Sequence, residues 1–431
     1  MRRGCILFWQ VKEVSDVRVY PGGLSGSLTA PPSKSAAHRA LICAALARGE
    51  SEVTPVSDST DMEATLGVLA AMGQRAARDG NIIRFRGMPW EERPVTLNCR
   101  ESGSTLRFLL PVAAALGLSA TFSGEGRLPE RPIGVLTEQI SRHGISVTGS
   151  GMPFCIKGKL TGGAFTLPGD VSSQFISGLL FALPLLSQDS AIRLTTPLES
   201  AAYVDLTLSA LSDAGIRIER TGDGFLVKGE QSYRSGRKIV EGDYSNAAFW
   251  LCAGAIGGNI AIDGLQEQSV QGDRAIVKLV QAFGASVSAQ NGQITVKSAP
   301  LHGIRIDAAP IPDLVPILAV TAAFAQGDTE IYNAARLRIK ESDRLSAVSE
   351  LIRNLGGEAQ EFPDRLIIRG SGGFRGGEVD GMNDHRIVMS AAIAALFCRE
   401  PVVIRGAQAV RKSYPDFFED LEMLGGRCDV I

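Results

Sequence analysis

Aligned with itself, the 431-residue chain repeats six times at a period of about seventy residues, and this repetition limits its fold more than any other feature. Six segments share one pattern: an acidic or turn residue, an amphipathic helix, then glycine and a short alternating strand. They are Asp61–Ala76, Pro132–Val147, Tyr203–Ile218, Asp273–Val287, Asp343–Ala359 and Tyr414–Cys428. In the fifth, Leu345, Val348, Leu351, Ile352 and Leu355 recur at three and four positions, the mark of one buried helical face. The closing glycines (Gly73, Gly144, Gly215, Gly284, Gly356 and Gly425) are 71, 71, 69, 72 and 69 residues apart. Glycine just past a helix end supplies the left-handed backbone that ends it.

A second series interleaves with the first. Ser33, Ser102, Ser172, Asp243, Asp313 and Asp384 are spaced by 69, 70, 71, 70 and 71 residues, and each precedes a stretch apolar nearly all round. These stretches are Ala40–Leu46, Leu106–Leu116, Phe175–Leu186, Ala247–Ile256, Leu314–Phe324 and Ile387–Phe397. A helix apolar on every side is buried on every side. Serine and aspartate suit the cap position, where a side-chain oxygen accepts from the free amides of the first turn. Short strand-like runs such as Ile82–Phe85, Phe154–Ile156, Phe225–Val227, Ile294–Val296 and Leu366–Ile368 lie between the helices. The period is too long for a solenoid, and the chain is too long for a single core. The expected fold is α/β: two domains of three small units each. The change of cap from Ser to Asp places the division near residue 240.

Composition narrows the partners. Net charge is −2, with 45% hydrophobic and 21% charged residues, so no basic field draws the chain to nucleic acid or anionic membrane. The longest apolar run, Val315 to Ala325, is about half of what spans a bilayer. Seven cysteines (Cys5, Cys43, Cys99, Cys155, Cys252, Cys398 and Cys428) show no C-x-x-C spacing and read as reduced core thiols of a cytoplasmic protein. With four histidines (His38, His143, His302 and His385), a His/Cys metal site is not expected. Residues 1–12 begin Met1-Arg2-Arg3 but lack a long apolar stretch and a cleavage site, and read as an extension rather than a signal peptide.

The chemistry gathers where the buried helices begin. A helix N-terminus carries unpaired N–H groups and partial positive charge, and so favours anions. Pro32-Ser33-Lys34-Ser35 runs on to His38-Arg39, Glu101-Ser102-Gly103-Ser104 to Arg107, and Val171-Ser172-Ser173-Gln174 offers uncharged donors. Asn383-Asp384-His385-Arg386 opens the last buried helix. Each serine alone fits a plain cap and each cation a solvated surface. Together they point to a ligand with several anionic groups. Further cations lie in Gly124–Pro132, which holds Arg127 and Arg131, in Arg336–Arg344, and at Lys412. If extended, the second of these sends Arg336, Arg338 and Lys340 to one side. Asp313 and Glu341 are the carboxylates best placed for proton transfer; Asp243 is a further candidate or only a cap.

These motifs, in order from about Val17 to the C-terminus, resemble the 5-enolpyruvylshikimate-3-phosphate synthases, enolpyruvyl transferases of the shikimate pathway of aromatic amino acid biosynthesis. The resemblance rests on Ser33-Lys34-Ser35 with Arg39, Gly103 with Arg107, Arg127 with Glu130-Arg131-Pro132, Ser172-Ser173-Gln174 and Glu241-Gly242-Asp243. It extends through Pro312-Asp313, Lys340-Glu341-Ser342-Asp343-Arg344, Asp384-His385-Arg386 and Lys412. It implies two domains of three βαβαββ units, residues 32–240 and residues 13–31 plus 241–431, around a cleft that closes on shikimate 3-phosphate. It further implies that Ser35 and Arg39 hold the shikimate carboxylate, with Lys34 near both substrates. Ser172, Ser173 and Ser200 would hold the phosphate, and Gln174 would lie along the ring. Gly103, Arg131, Arg344, Arg386 and Lys412 would hold phosphoenolpyruvate. Asp313 and Lys340 would bind the attacking hydroxyl, and Glu341 would handle the proton at the methylene carbon. The family works without metal or nucleotide cofactor and as a monomer.

The chain departs from the family pattern at His38, where many relatives have Asn, at Ala201-Ala202, where Lys-Pro is common, and at Glu101. Gly103 implies room for the inhibitor glyphosate. The sister transferases acting on a UDP-sugar carry a reactive cysteine in the mobile loop, which Gly124–Pro132 lacks. RNA 3′-phosphate cyclases rely on a histidine near the C-terminus, and none follows His385. A DNA clamp would line helix faces with cations, whereas here they sit at helix starts and in loops.

Overall fold

The computed structural model describes residues 15–290 and 292–431; the extension expected at residues 1–12 and Cys5 lie outside them. In chain order the α-helices are α1 (Lys34–Leu46), α2 (Thr60–Ala71), α3 (Gly103–Ala115), α4 (Gly134–Arg142), α5 (Ser173–Ala182), α6 (Ala201–Asp213), α7 (Tyr244–Gly257), α8 (Ala275–Phe283), α9 (Val315–Ala323), α10 (Arg344–Asn354), α11 (His385–Leu396) and α12 (Phe417–Met423). The odd-numbered helices are the apolar ones and lie buried. The even-numbered ones show one face to solvent: in α8 only Ile276, Val280 and Phe283 are fully inside. All six closing glycines have positive φ, from 79° to 118°, which a side chain at those positions would oppose.

Each helix pair belongs to a four-stranded sheet, and all six sheets among the described residues share one topology. In the second unit Val95–Asn98 runs parallel to Ala120–Ser123, with α3 as the crossover. Ala120–Ser123 then pairs antiparallel with Phe154–Gly158, which pairs antiparallel with Ile145–Thr148. That is one βαβαββ unit, and parallel pairing requires the helical crossover because a tight turn cannot reverse the chain twice.

Two separate cores result. One gathers α1, α3 and α5 with the inner faces of α2, α4 and α6; the other gathers α7, α9 and α11 with α8, α10 and α12. The N-terminal strands join the second: Val17–Tyr20 pairs with Val402–Arg405 and Arg427–Val430, and Ser25–Thr29 pairs with Asn259–Asp263. In return, Arg237–Ile239 completes the first sheet beside Ser51–Thr54. The chain therefore crosses between the two halves twice. The crossings run side by side, Ser33 N donating to Glu241 O at 2.8 Å and Asp243 N to Pro31 O at 2.8 Å.

Three expectations are corrected. Asp313 does not cap α9; Leu314 holds that position without a side-chain bond, and Asp313 turns its carboxylate to cations instead. Ala335–Ile339 is a 3₁₀ turn rather than a strand, so Arg336, Arg338 and Lys340 do not share a side. Arg338 turns away to Asp343 and Glu361, at 2.9 and 3.0 Å. Cys155 is not a core thiol but exposed, because its strand position faces solvent; the other five described cysteines are buried.

Candidate active site

The starts of α1, α3 and α5 face the second half across a cleft enclosing about 890 Å³, part of it open to solvent. Ser33, Ser102 and Ser172 cap their helices, each hydroxyl oxygen accepting from the Ala36, Thr105 or Gln174 amide, so that the Ser172 O–H still faces the cleft as a donor. The residues after each cap are thereby free to line the cleft: Lys34, Ser35 and Arg39 from α1, Gly103 and Ser104 from α3, Ser173 and Gln174 from α5. Asp243 proves to be a cap with two clients, Oδ1 taking the Asn246 amide of α7 and Oδ2 the Lys34 amide of α1. It ties the base of the cleft together across the two halves.

The first-half wall is cationic. Arg39 is buried, donating to Thr207 Oγ1 at 2.8 Å, Ser35 O at 2.6 Å and Tyr203 O at 2.7 Å. Two of its five N–H groups are left for a ligand. Arg107 stands behind Gly103, giving Nη1 to Gln174 Oε1 at 2.8 Å and Nη2 to Pro132 O at 3.1 Å. Burial, then the nearby Arg131 charge, lowers its affinity for a proton. A Cβ on Gly103 would stand 2.7 Å from Arg107 Nη1 and 2.9 Å from Arg131 Nη1. Gly103 is thus the position that lets two guanidinium groups reach the helix start. Gln174 also donates to Ser104 Oγ at 2.9 Å, which fixes its amide across the cleft floor.

The opposite wall is a web of carboxylates and cations centred on Arg344, which is 1% exposed. Its guanidinium donates to Asp384 at 2.8 Å, Asp313 Oδ1 at 2.8 Å and Glu341 Oε2 at 2.9 Å. Asp313 also faces Arg386 Nη2 at 3.2 Å, Lys340 Nζ at 3.4 Å and the Tyr203 hydroxyl at 3.1 Å. Burial alone would raise the Asp313 carboxyl, but Arg386, Lys340, Arg344 and Lys34 together outweigh it and hold it well below the usual range. Glu341 follows the same logic: burial pushes it up, and Arg131, Arg344 and Lys340 pull it well below. Burial lowers the Lys340 ammonium, with the Asp313 charge opposing.

The halves touch across the cleft. Arg131 Nη1 lies 3.4 Å from Glu341 Oε1, and Arg336 Nη1 donates to Ser200 Oγ at 3.0 Å. Ser200, in a left-handed conformation at the start of α6, donates its own proton to Ala309 O at 2.8 Å.

Of the residues the sequence singles out, Lys34, Ser35, Arg39, Gly103, Arg131, Ser172, Ser173, Gln174, Ser200, Asp313, Lys340 and Glu341 line the cleft. Arg344 and Arg386 stand behind Asp313. Lys412 lies off the cleft lining, donating to Glu101 Oε2 and Asn383 O. The sequence marks Arg336 only as part of a cationic run, and gives no sign of Tyr203 or Asp61 as cleft residues. Asp61 pairs with Lys34 at 3.0 Å. Tyr203 opens an even-numbered helix, a position the repeat marks as half-exposed, and only its register against the second half turns it inward.

A two-domain assembly of six βαβαββ units, with phosphate-sized polar helix starts facing an ion-pair web, defines the class of enolpyruvyl-transferase-like folds. An enolpyruvyl transferase, NikO, from Streptomyces tendae has this fold, with a TM-score of 0.79 over 97% of this chain and 99% of that one at 18% identity. The EPSP synthase of Acinetobacter baumannii superposes with a TM-score of 0.83 at 26% identity, over 97% of this chain and 100% of its own. The family model for EPSP synthase (3-phosphoshikimate 1-carboxyvinyltransferase) matches residues 20–421. The 3-phosphoshikimate 1-carboxyvinyltransferase of Clostridium kluyveri is 46% identical over 418 residues, 96% of this chain and 98% of the relative. That of Clostridium acetobutylicum is 44% identical, covering 95% and 97%. The chain belongs to the EPSP synthase family.

Proposed function

We propose that this chain transfers the enolpyruvyl group of phosphoenolpyruvate to the 5-hydroxyl of shikimate 3-phosphate, releasing phosphate. The observation that carries the reading is the meeting of Lys34, Arg39, Arg131 and Lys340 in one cleft with the Ser172–Ser173 helix start. Two substrates, each with a phosphate and a carboxylate, need that many cations and donors.

Ser172, Ser173 and, once its proton turns from Ala309 O, Ser200 hold the shikimate phosphate, while Ser35 and the two spare N–H groups of Arg39 take its carboxylate. Gln174 lies under the ring. Phosphoenolpyruvate sits between Gly103, Arg131 and Lys34 on one side and Arg344, Arg386 and Lys412 on the other. The hydroxyl, held by Asp313 and Lys340, adds to the central carbon as the methylene is protonated. A tetrahedral intermediate forms, and loss of a methyl proton expels phosphate. Glu341 handles the carbon-bound proton. Its ion pairs with Arg131 and Arg344 keep it too acidic for that task in the unliganded protein. Anionic substrate that shares those guanidinium groups weakens their pull and raises its proton affinity. Charges gathered in a closed, water-poor cleft act more strongly than in solvent.

The working units are residues 32–240 and residues 13–31 plus 241–431, joined by the paired crossings at Pro31–Ser33 and Glu241–Asp243, which act as the hinge. The enzyme works as a cytoplasmic monomer without metal or other cofactor, and glyphosate competes for the phosphoenolpyruvate position. Among the described residues no helix is long and apolar enough to cross a membrane. The test is phosphate release from phosphoenolpyruvate in the presence of a chelator. Release that requires shikimate 3-phosphate is expected. Release only with UDP-N-acetylglucosamine, or none with either acceptor, overturns the reading.

A further inference from the structure

Asp273 has no part in the mechanism above, yet it is wired to it. It lies in the 3₁₀ turn Gly272–Arg274 ahead of α8 and is 3% exposed. Its Oδ2 accepts from the Ser245 hydroxyl at the start of α7 and lies 3.3 Å from the Tyr203 hydroxyl. Tyr203 in turn stands 3.1 Å from Asp313 Oδ2. Asp273 Oδ1 is buried without a hydrogen-bond partner among the described residues. One phenol proton therefore serves two carboxylates, buried Asp273 on one side and Asp313, which lines the cleft, on the other. Tyr203 belongs to the first half and both carboxylates to the second, so the chain of three exists only while the halves are together.

The two carboxylates are unequal. Asp313 is gripped by Arg344, Arg386 and Lys340, which makes it a poor resting place for a proton. Among the described residues Asp273 has no ion-pair partner of its own. The groups around it are Ser245 and Asp243 from α7 and its cap, Asp313 ahead of α9, Arg386 from α11 and, by the hydrogen bond, Tyr203 from α6. Burial, and then the negative charge of Asp313, push its carboxyl up to about 6. At neutral pH it is ionised and is the better proton acceptor of the two.

We propose that Asp273 is the store for the proton of the attacking hydroxyl, reached through Asp313 and Tyr203, and that closure of the halves completes this relay. This rests on the enolpyruvyl-transfer reading. The hydroxyl O–H bond breaks as its oxygen bonds to the central carbon, and the proton passes to Asp313. Asp313 gives a proton to the Tyr203 oxygen, and Tyr203 gives its own to Asp273. Tyr203 and Asp313 end as they began, and Asp273 is neutral. When phosphate leaves, the proton returns along the same path to it, so no further acid or base is consumed. Asp273 touches no substrate and acts only through its two neighbours.

The experiment is the pH profile of kcat, with binding of shikimate 3-phosphate measured separately, for the parent, Asp273→Asn, Tyr203→Phe and the double variant. The relay predicts a fall in kcat of about 10- to 100-fold for Asp273→Asn. It also predicts loss of an acidic limb near pH 6, with shikimate 3-phosphate affinity held within about threefold of the parent. The double variant falls no further than Tyr203→Phe, because one path is cut twice. Ser245→Ala keeps the test decisive if Asp273→Asn does not fold. Removing that donor raises the Asp273 carboxyl and moves the acidic limb upward. A parental kcat and limb in Asp273→Asn, additive losses in the double variant, or an unmoved limb in Ser245→Ala each overturns the relay. A parent enzyme inactive with shikimate 3-phosphate overturns the underlying function instead.

Discussion

Lys412 Nζ, on the second half, donates to Glu101 Oε2 of the first at 2.8 Å, and Asn383 Nδ2 donates to the same oxygen at 2.8 Å. Glu101 thus holds the cation that phosphoenolpyruvate is proposed to use. Anionic substrate must compete with this carboxylate. Glu101→Gln is expected to lower KM for phosphoenolpyruvate about two- to fivefold, the size of a partly exposed ion pair. Steady-state kinetics at two salt concentrations check it, since the gain shrinks as salt screens the pair. A raised KM would mean that Glu101 helps to orient Lys412 rather than competing for it.

Arg344 holds three carboxylates, and Asp384 among them is wholly buried. Arg344→Ala leaves that charge unpaired and is expected to cost about 3–5 kcal/mol of folding stability. Arg344→Lys keeps the charge but not the planar fork that reaches Asp313, Glu341 and Asp384 together. It should fold, with kcat/KM reduced by at least about 100-fold. Urea unfolding and initial rates on the two variants separate structure from catalysis.

The pH dependence of stability carries two opposite signs. Asp313, Glu341 and Asp384 have lowered pKa values in the folded protein, so the stability they contribute is full above the usual carboxylate range and lost only in stronger acid. Asp273 is raised from 3.8 to about 6, so the folded state keeps a proton that the unfolded chain has lost. Stability therefore declines as pH rises between those values and stays lower above them. Relative to the parent, Asp273→Asn should gain about 2–3 kcal/mol between pH 4 and pH 7. Urea titrations at the two pH values read the difference directly, and a constant gap would contradict the assigned direction.

A methyl group at Gly103 would meet Arg107 Nη1 and Arg131 Nη1 below 3.0 Å. Arg131 is at the end of a flexible side chain and can yield; Arg107 is buried and cannot yield easily. Gly103→Ala is expected to raise KM for phosphoenolpyruvate roughly 5- to 20-fold through displaced guanidinium groups, a loss of about 1–2 kcal/mol of charge-assisted hydrogen bonding. Glyphosate should inhibit the parent competitively against phosphoenolpyruvate and weaken in the same variant. Full rates of the parent in millimolar glyphosate would exclude that inhibition.

Much of the molecule was legible because its signals are local. Helix periodicity, the glycines at helix ends and the serines and aspartates at helix starts depend on neighbours a few residues away, and the six units could be counted from them. Asp313 shows where local logic stops. By its spacing it matches the five residues that cap the other buried helices, yet Leu314 takes the cap position and Asp313 faces Arg344, Arg386, Lys340 and Tyr203, which come from elsewhere in the chain. Arg338 errs the other way: it sits in the same cationic run as Arg336 and Lys340 but leaves the cleft, because a 3₁₀ turn replaces the alternation of a strand.

The sequence by itself determined the units, their number, the buried and half-buried helices, and the helix starts that carry cations and hydroxyls. Periodicity and capping are written within one turn of the chain. The tertiary structure alone decided which starts face each other, how the Arg344 web fixes the charge of Asp313 and Glu341, and that Tyr203 joins Asp313 to Asp273. The Arg344 web is set by the packing of the second core, between groups 3 to 40 residues apart, whereas the Tyr203 contacts span 70 and 110 residues and are set only when the two cores come together.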